Sequence, residues 1–435
     1  MWGDIEADER ALGLIDTPEF QRLRGIKQLG TTSLVYPSAV HTRFEHSLGA
    51  MHTAARMLAA IEERAGKPFP ARIRAATVIA SLLHDVTHIP FGHTLEDERR
   101  LFPRHDEPER MLRFLRSGAL ARAIDRTRLR VEVEEILTGS PADPLPADIV
   151  RGTFGADLLD YLARDAYFCG LAGRYDARLF RAFGRARDGR LGLALSKDGL
   201  LRSDAVSEVL NLLWLRCALS ERVYYHHAKV AAGAAISKAV EIGLSLGLAE
   251  EDLYVLGDDG LLDMLRRRFA RSRPMQAILG RLAARSLYKR AYVLTRAVGE
   301  EAQSRLVARF HQDRRAREEA ESGLAREVGL RAEDVILYCP QPAMAAKEAD
   351  APIVIDGGAA RSLSDLRLPE VALLTSKHRD LWRFYIFIAA ERRELAPALA
   401  RAAYERFGHE NMLDLTTRVG VSSAAGKGSR RRNTT

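Results

Sequence analysis

Apolar positions along this chain recur mostly at helical spacing. Leu12, Ile15, Phe20, Leu23, Ile26 and Leu29 form such a stripe across residues 7–30. Within it, Asp16-Thr17-Pro18 reads as a helix start, a cap residue followed by proline in the first turn. A second helix begins at Arg43 and runs to about residue 65. Residues 71–88 carry an apolar run, Thr77 to Leu83, that ends in His84-Asp85. His88 follows one turn later, and Pro90 and Gly92 then break the regular backbone. Helical spacing returns over residues 96–118, 156–168 and 205–248, the last with a break. It continues over 259–298, over 300–328 as a highly charged surface helix, and over 380–406.

Strand signals are sparse. Leu191-Gly-Leu-Ala-Leu195 followed by Lys197-Asp-Gly199 resembles a short hairpin. Residues 335–339 and 353–355 read as strands, with Asp356-Gly-Gly358 as a turn and 371–375 as a further strand. Thr138-Gly-Ser-Pro-Ala-Asp-Pro-Leu-Pro146 is a loop. The pattern therefore predicts a mainly α protein. A large helical core spans 1–240, a helical extension 241–334 and a small α+β region 335–420, with a disordered basic tail over 421–435.

Composition narrows this only a little. Hydrophobic residues at 47% and charged residues at 29% supply a large core and an ordinary surface. No apolar stretch approaches the ~20 residues needed to span a membrane. The segment Met1-Trp-Gly-Asp-Ile-Glu-Ala-Asp-Glu9 has no apolar signal core, so a cytoplasmic protein is expected. Cys169, Cys217 and Cys339 are odd in number and far apart, which argues against a disulfide framework and a Cys-ligated zinc. The net charge of +8 favours anionic partners. Lys427-Gly-Ser-Arg-Arg-Arg432 reads first as a solvated tail and second as a nucleic-acid contact.

The candidate chemistry is concentrated. Seven of the twelve histidines lie between His41 and His105. Asp157, Tyr161 and Asp165 follow at i, i+4, i+8 on one helix face, where paired carboxylates need partners. The simplest unifying site is mononuclear, with ligands His46, His84, Asp85 and Asp157. Two imidazoles and two carboxylates suit Mn, Fe, Zn, Co or Ni, with Mg also admitted. Open positions would take water and a phosphate oxygen. His88, His93 and His105 remain as proton donors, orienting groups or phosphate contacts. Each taken alone is as often structural as catalytic.

His46, His84-Asp85 and Asp157, in that order, resemble the pattern of the HD-domain phosphohydrolases. Longer stretches are similar to the deoxynucleoside triphosphate triphosphohydrolases, which include the vertebrate SAM-and-HD-domain enzyme and bacterial dGTPases. They are residues 15–30, Arg43-Phe-Glu-His-Ser-Leu-Gly49, His84-Asp-Val-Thr-His-Ile-Pro-Phe-Gly-His93 and Asp157-Leu-Leu-Asp-Tyr-Leu-Ala-Arg-Asp165. The resemblance implies a divalent metal on His46, His84, Asp85 and Asp157, and a triphosphate on Arg43. It implies that water attacks the α-phosphorus, yielding deoxynucleoside and tripolyphosphate. It implies catalytic roles for His88 and His105, places His93 near the leaving oxygen, and makes Glu96 an acidic partner of that network. Gln28, Leu29, Tyr161, Asp165 and Tyr225 correspond to sugar and base contacts. Gln28 and Asp165 would hold a 3′-hydroxyl, and Tyr161 would fill the room a 2′-hydroxyl needs. Asp16, Gln21 and Arg24 match readers of a guanine nucleotide activator, and the family assembles as homo-oligomers, dimers or tetramers.

Four positions depart from the family pattern. Thr87 stands where glycine is usual, Leu158 and Ala228 where lysines are common, and Arg216 lies close to, but outside, the register of a phosphate-contacting arginine. Two alternatives stay open: a nucleotidase or phosphodiesterase acting on another nucleotide or single-stranded nucleic acid, and a non-catalytic nucleotide-binding scaffold.

Overall fold

The structure, a computed structural model, describes residues 1–341, 351–354 and 361–413. The expected turn at 356–358 and the basic tail over 421–435 lie outside the described residues. The fold is mainly α-helical. Its first half contains α1 (Glu9–Ile15), α2 (Pro18–Gln21), α3 (Arg43–Ala65), α4 (Ala71–Leu83), α5 (Pro108–Leu115), α6 (Gly118–Thr127), α7 (Arg130–Thr138), α8 (Pro144–Arg151) and α9 (Ala156–Phe168). After a β-rich stretch come α10 (Ser203–Leu219), α11 (His227–Ser245), α12 (Asp258–Arg268) and α13 (Arg273–Ala283). The remainder holds α14 (Glu300–Leu306), α15 (Arg314–Glu327), α16 (Pro369–Arg379) and α17 (Ala396–Phe407). No helix among the described residues is long and apolar enough to cross a membrane.

α3 is the axis of the site-bearing half. Thr42 and Glu45 form a capping box at its start, with the Thr42 N–H donating to Glu45 Oε2 at 2.9 Å. Gly66, at φ 62°, ends it in the left-handed conformation that favours glycine. One flank packs on α4 and the other on α9. Met57, Leu58 and Ile61 of α3 share a core with Leu158, Leu159 and Leu162 of α9, while Met51 meets Leu82 and Leu83 of α4 in a second core. The histidines at the start of α3, the end of α4 and the carboxylates of α9 thereby face one another.

Three small sheets complete the chain. β1 (Phe183–Arg185) pairs antiparallel with β2 (Leu191–Ala194), which runs parallel to β7 (Pro352–Val354), itself paired with β8 (Arg361–Ser362). β3 (Ser196–Lys197) and β4 (Leu200–Leu201) form a minimal hairpin around Asp198 and Gly199, both at positive φ. The expected hairpin is thus two separate features, since 191–194 pairs with β1 and β7. The third sheet has the order β5 (Lys289–Thr295), β9 (Arg383–Ile388), β6 (Val335–Tyr338), all antiparallel.

Several expectations are corrected. β5 and β9 lie in stretches expected to be helical. Their apolar runs lack polar alternation because both faces are covered: Tyr385 and Phe387 enter one core, Phe384, Ile386 and Ile388 another. Residues 371–375, expected as a strand, lie in α16, where Pro369 opens the helix and Val371, Leu374 and His378 form its buried stripe. The expected surface helix at 300–328 is interrupted by a π turn, Val307–His311, and buries Arg317 and Glu321. Residues 96–118 hold a π turn, Thr94–Glu98, a loop and then α5. Sheet pairing also crosses the expected boundaries at 240 and 334, since β2 joins β7 and β5 joins β9.

Candidate metal centre and nucleotide pocket

The capped first turn of α3 turns Arg43 and His46 inward, and both are buried. His84 caps the end of α4, and Asp157 sits in the first turn of α9. His46 Nε2 lies 3.1 Å from His84 Nε2 and 3.1 Å from Asp157 Oδ1. Asp85 Oδ2 is 3.7 Å from His46 Nε2, and Asp85 Oδ1 is 3.5 Å from His84 Nε2. All four residues expected as metal ligands therefore converge. The Asp157 side chain, 35% exposed, marks the open face.

The second ring nitrogens decide what this cluster suits. His84 Nδ1 is 2.7 Å from the Ser81 carbonyl oxygen, which only accepts, so Nδ1 carries the proton and Nε2 keeps a lone pair. His46 Nδ1 is 2.9 Å from Asp160 Oδ2, a carboxylate held below the ordinary range by His46 and Arg164 against the effect of burial. His46 Nδ1 is therefore also the donor. Two Nε2 lone pairs then face each other at 3.1 Å beside two carboxylates, an arrangement that needs positive charge between them. Without a metal, a proton supplies it: burial opposes the charge, but hydrogen bonds donated to Asp157 and Asp160 raise His46 to about 10. Asp157 and Asp85 are both depressed against burial, Asp157 chiefly by His46 and His84, Asp85 chiefly by Arg43 and His84. The residues fit a divalent cation, and His46, His84 and Asp85 each bring a ligand atom within 4.8 Å of the others.

A histidine group flanks the centre. One ligand atom from each of His88, His93 and His105 lies within 4.8 Å of the others. His88 and His105 stack with ring centroids 3.6 Å apart, and His88 Nε2 is 3.2 Å from Asp85 Oδ1. Burial, Arg43 and His105 push His88 well below its ordinary pKa, so it is neutral. Glu96 is buried within 3.3 Å of His105 Nδ1 and receives Arg110 at 2.8 Å. His93 is the exposed member and pairs with Asp97 at 2.8 Å. Thr87 donates to the His105 carbonyl at 2.5 Å, fastening this group where a glycine would leave it loose. Arg43 donates to Asp85 Oδ2 at 2.6 Å. A Cβ on Gly92 would meet His88 Nδ1 at 2.8 Å and the Arg43 guanidinium at 3.0 Å, so the turn tolerates only glycine.

The pocket residues divide. Asp165 is buried and holds His41 Nε2 at 2.7 Å on one oxygen and the Tyr224 hydroxyl at 2.8 Å on the other. Gln28 reaches this group through its backbone N–H, donated to the His41 carbonyl at 3.0 Å, while its side-chain Oε1 is buried without a partner among the described residues. Leu29 packs on the α3–α9 core. The Tyr161 hydroxyl receives Arg216, and the Tyr161 ring lies 6.3 Å from that of Tyr224. Tyr225 points elsewhere, its ring 6.4 Å from that of His378. The π turn Ser220–Tyr224 explains the one-residue offset, because it adds a residue to the helical register. Leu158 is buried beside Asp157, with no amine in its place. Of Asp16, Gln21 and Arg24, the last two are in contact: Gln21 donates to the Ile15 carbonyl at 2.9 Å, Arg24 donates to Gln21 at 2.8 Å and its guanidinium covers the Phe44 ring at 3.5 Å.

Asp160, Arg164, His41 and Tyr224 join the site beyond the residues expected from the sequence. Asp160 had a usable signal: with Asp157 it is spaced i, i+3, and with Arg164 i, i+4, so a carboxylate backed by an arginine sits behind the first ligand.

Comparison with known proteins agrees with this geometry. The chain matches the HD domain over residues 43–137 and the HD associated region over residues 193–412. It belongs to the family of HD-domain proteins that carry the HD associated region. Among individual relatives, it is 32% identical over 293 residues to an uncharacterized protein from Methanocaldococcus jannaschii, covering 66% of this chain and 57% of that one. It is 28% identical over 314 residues to the deoxynucleoside triphosphate triphosphohydrolase SAMHD1 homolog of Dictyostelium discoideum, covering 66% of this chain and 58% of that protein. The chain thus spans a little over half the length of these relatives. A crystal structure of a phosphohydrolase from Bacteroides thetaiotaomicron superposes with a TM-score of 0.66 at 21% identity, covering 89% of this chain and 96% of that one, which establishes the shared fold.

Proposed function

We propose that this protein hydrolyses deoxynucleoside triphosphates to deoxynucleoside and tripolyphosphate. The observation that carries the reading is the pair of facing Nε2 lone pairs on His46 and His84, flanked by Asp85 and Asp157 beside a basic, histidine-lined cleft. A divalent cation held by His46, His84, Asp85 and Asp157 would supply charge neutralisation and lower the pKa of water from about 15.7 towards about 7.

The chain's own residues do the rest. Arg43 neutralises phosphate oxygens as charge builds on them. His88, neutral and with Nε2 facing the centre, accepts the proton of the attacking water. The water oxygen bonds to the α-phosphorus, the bond to O5′ breaks, and His93, at the open edge, donates a proton to O5′. Glu96 orients His105 within this relay. Tyr161, Asp165 and Tyr224 form the wall against which the sugar sits. The relatives named as deoxynucleoside triphosphate triphosphohydrolases support this substrate class.

One observation favours a second reading, a nucleotidase or phosphodiesterase on another nucleotide. Leu158 is buried next to Asp157, so the site lacks an amine there for a long polyphosphate. Mn²⁺-loaded protein incubated with each of the four dNTPs separates the two. Tripolyphosphate as product supports the proposal. Orthophosphate alone points to the second reading, and no product from any dNTP removes the first.

A further inference from the structure

Asp258 is the first residue of α12, about a hundred residues downstream of the last expected metal ligand, and it is fully buried. Among the described residues, no arginine or lysine side chain lies at hydrogen-bond distance from its carboxylate. Instead, Oδ2 accepts the Lys27 backbone N–H at 2.9 Å and Oδ1 accepts the Phe91 backbone N–H at 2.8 Å. Both amides belong to segments that place reacting groups. On the first segment, the Ile26 carbonyl accepts the Arg43 N–H at 2.9 Å, and the Gln28 N–H donates to the His41 carbonyl at 3.0 Å. On the second, Phe91 and Gly92 form the turn between His88 and His93, with φ of 59° and 33°. Phe91 is an aromatic residue in the left-handed region, where such side chains are rare and a fixed partner for the backbone is needed.

The approach of α12 is unusually close. A Cβ on Gly257 would lie 2.6 Å from the Gly25 carbonyl oxygen, so only glycine lets Asp258 reach both amides. Arg22 reinforces the same joint, donating to the carbonyls of Val86 at 3.0 Å and Leu256 at 3.3 Å.

We propose that Asp258 is a positioning residue that clamps the Ile26–Lys27 segment, to which Arg43 is hydrogen-bonded, to the His88–His93 turn and so sets the distance between phosphate-binding and proton-transferring groups. The proposal rests on the phosphohydrolase reading above. Asp258 touches neither substrate nor metal ligands, which hang on α3, α4 and α9. Its loss therefore separates two properties that a general loss of folding would lower together. A misplacement of about 1 Å at a reacting group costs about 100-fold in rate.

The test compares wild type with Asp258→Asn, Asp258→Ala and Gly257→Ala in the full chain. Metal content, hydrogen exchange at the Lys27 and Phe91 amides, and kcat and KM for dNTP turnover with Mn²⁺ are measured on each. Gly257→Ala keeps the carboxylate but wedges it away, so it guards against a general effect of losing charge. The expected result is faster exchange at both amides, unchanged metal content, and kcat/KM lowered about 100-fold. Unchanged exchange at these amides, unchanged kcat/KM despite faster exchange, or metal lost in step with activity would each overturn it. A wild type that turns over no dNTP refutes the substrate reading instead, and exchange with metal content then decides the clamp alone.

Discussion

His46 is the residue on which the centre turns. It is fully enclosed, with Asp160 behind one nitrogen and Asp157 and His84 before the other. In the metal-free protein its pKa is raised to about 10. A folded value above the ordinary ~6.5 stabilises the native state fully below ~6.5, and that contribution is lost as pH rises through about 10. A divalent metal takes the place of this proton. Metal binding at pH 7 should therefore release a proton, and affinity should rise with pH across this window. Calorimetry in buffers of different ionisation enthalpy reads the release directly, and an absence of proton release would contradict the charge argument. Asp160→Asn removes the carboxylate that fixes the His46 tautomer. It should lower metal affinity about 10- to 100-fold while the four ligands remain, as a chelator titration would show. The ligands were legible because each stands in a short local signature. Asp160 was less so, because its role depends on meeting His46 across 114 residues of chain.

At the scale of elements, the expected helices from Arg43 to about 65 and over 156–168 match α3 and α9, and they position most of the centre. Their crossing is tight at Gly49, where a Cβ would collide with Asp160 and the Arg164 guanidinium. Gly49→Ala should cost about 1–3 kcal/mol in stability and lower metal content, measured by denaturant unfolding and elemental analysis. The elements that escaped the sequence did so for identifiable reasons. β5 and β9 are apolar on both faces, and a buried strand cannot be told from a buried helix by period alone. That Tyr224 meets Asp165 while Tyr225 packs near His378 depends on the π turn Ser220–Tyr224, which no propensity announces.

Over the whole molecule, the HD core is joined to the later helices by buried charge. Arg99, just after the histidine-bearing turn, pairs with Glu241 of α11 at 2.6 Å and with Glu321 of α15 at 3.2 Å. Arg317 meets Glu241 at 2.7 Å, and Lys238 meets Glu321 at 2.8 Å. Charge in 300–328 suggested a solvated face, yet these groups are enclosed because opposite charges from three distant segments meet. Glu241→Ala leaves two buried guanidiniums short of a partner and should destabilise the fold by about 3–5 kcal/mol in urea denaturation. The central claim is hydrolysis at the α-phosphorus beside the His46, His84, Asp85 and Asp157 cluster. Its most direct test is turnover of a dNTP by the Mn²⁺-loaded protein in ¹⁸O-water, followed by ³¹P NMR and mass spectrometry. The account predicts one ¹⁸O in the tripolyphosphate and none in the deoxynucleoside. Label in orthophosphate, or in the nucleoside hydroxyl, would contradict it.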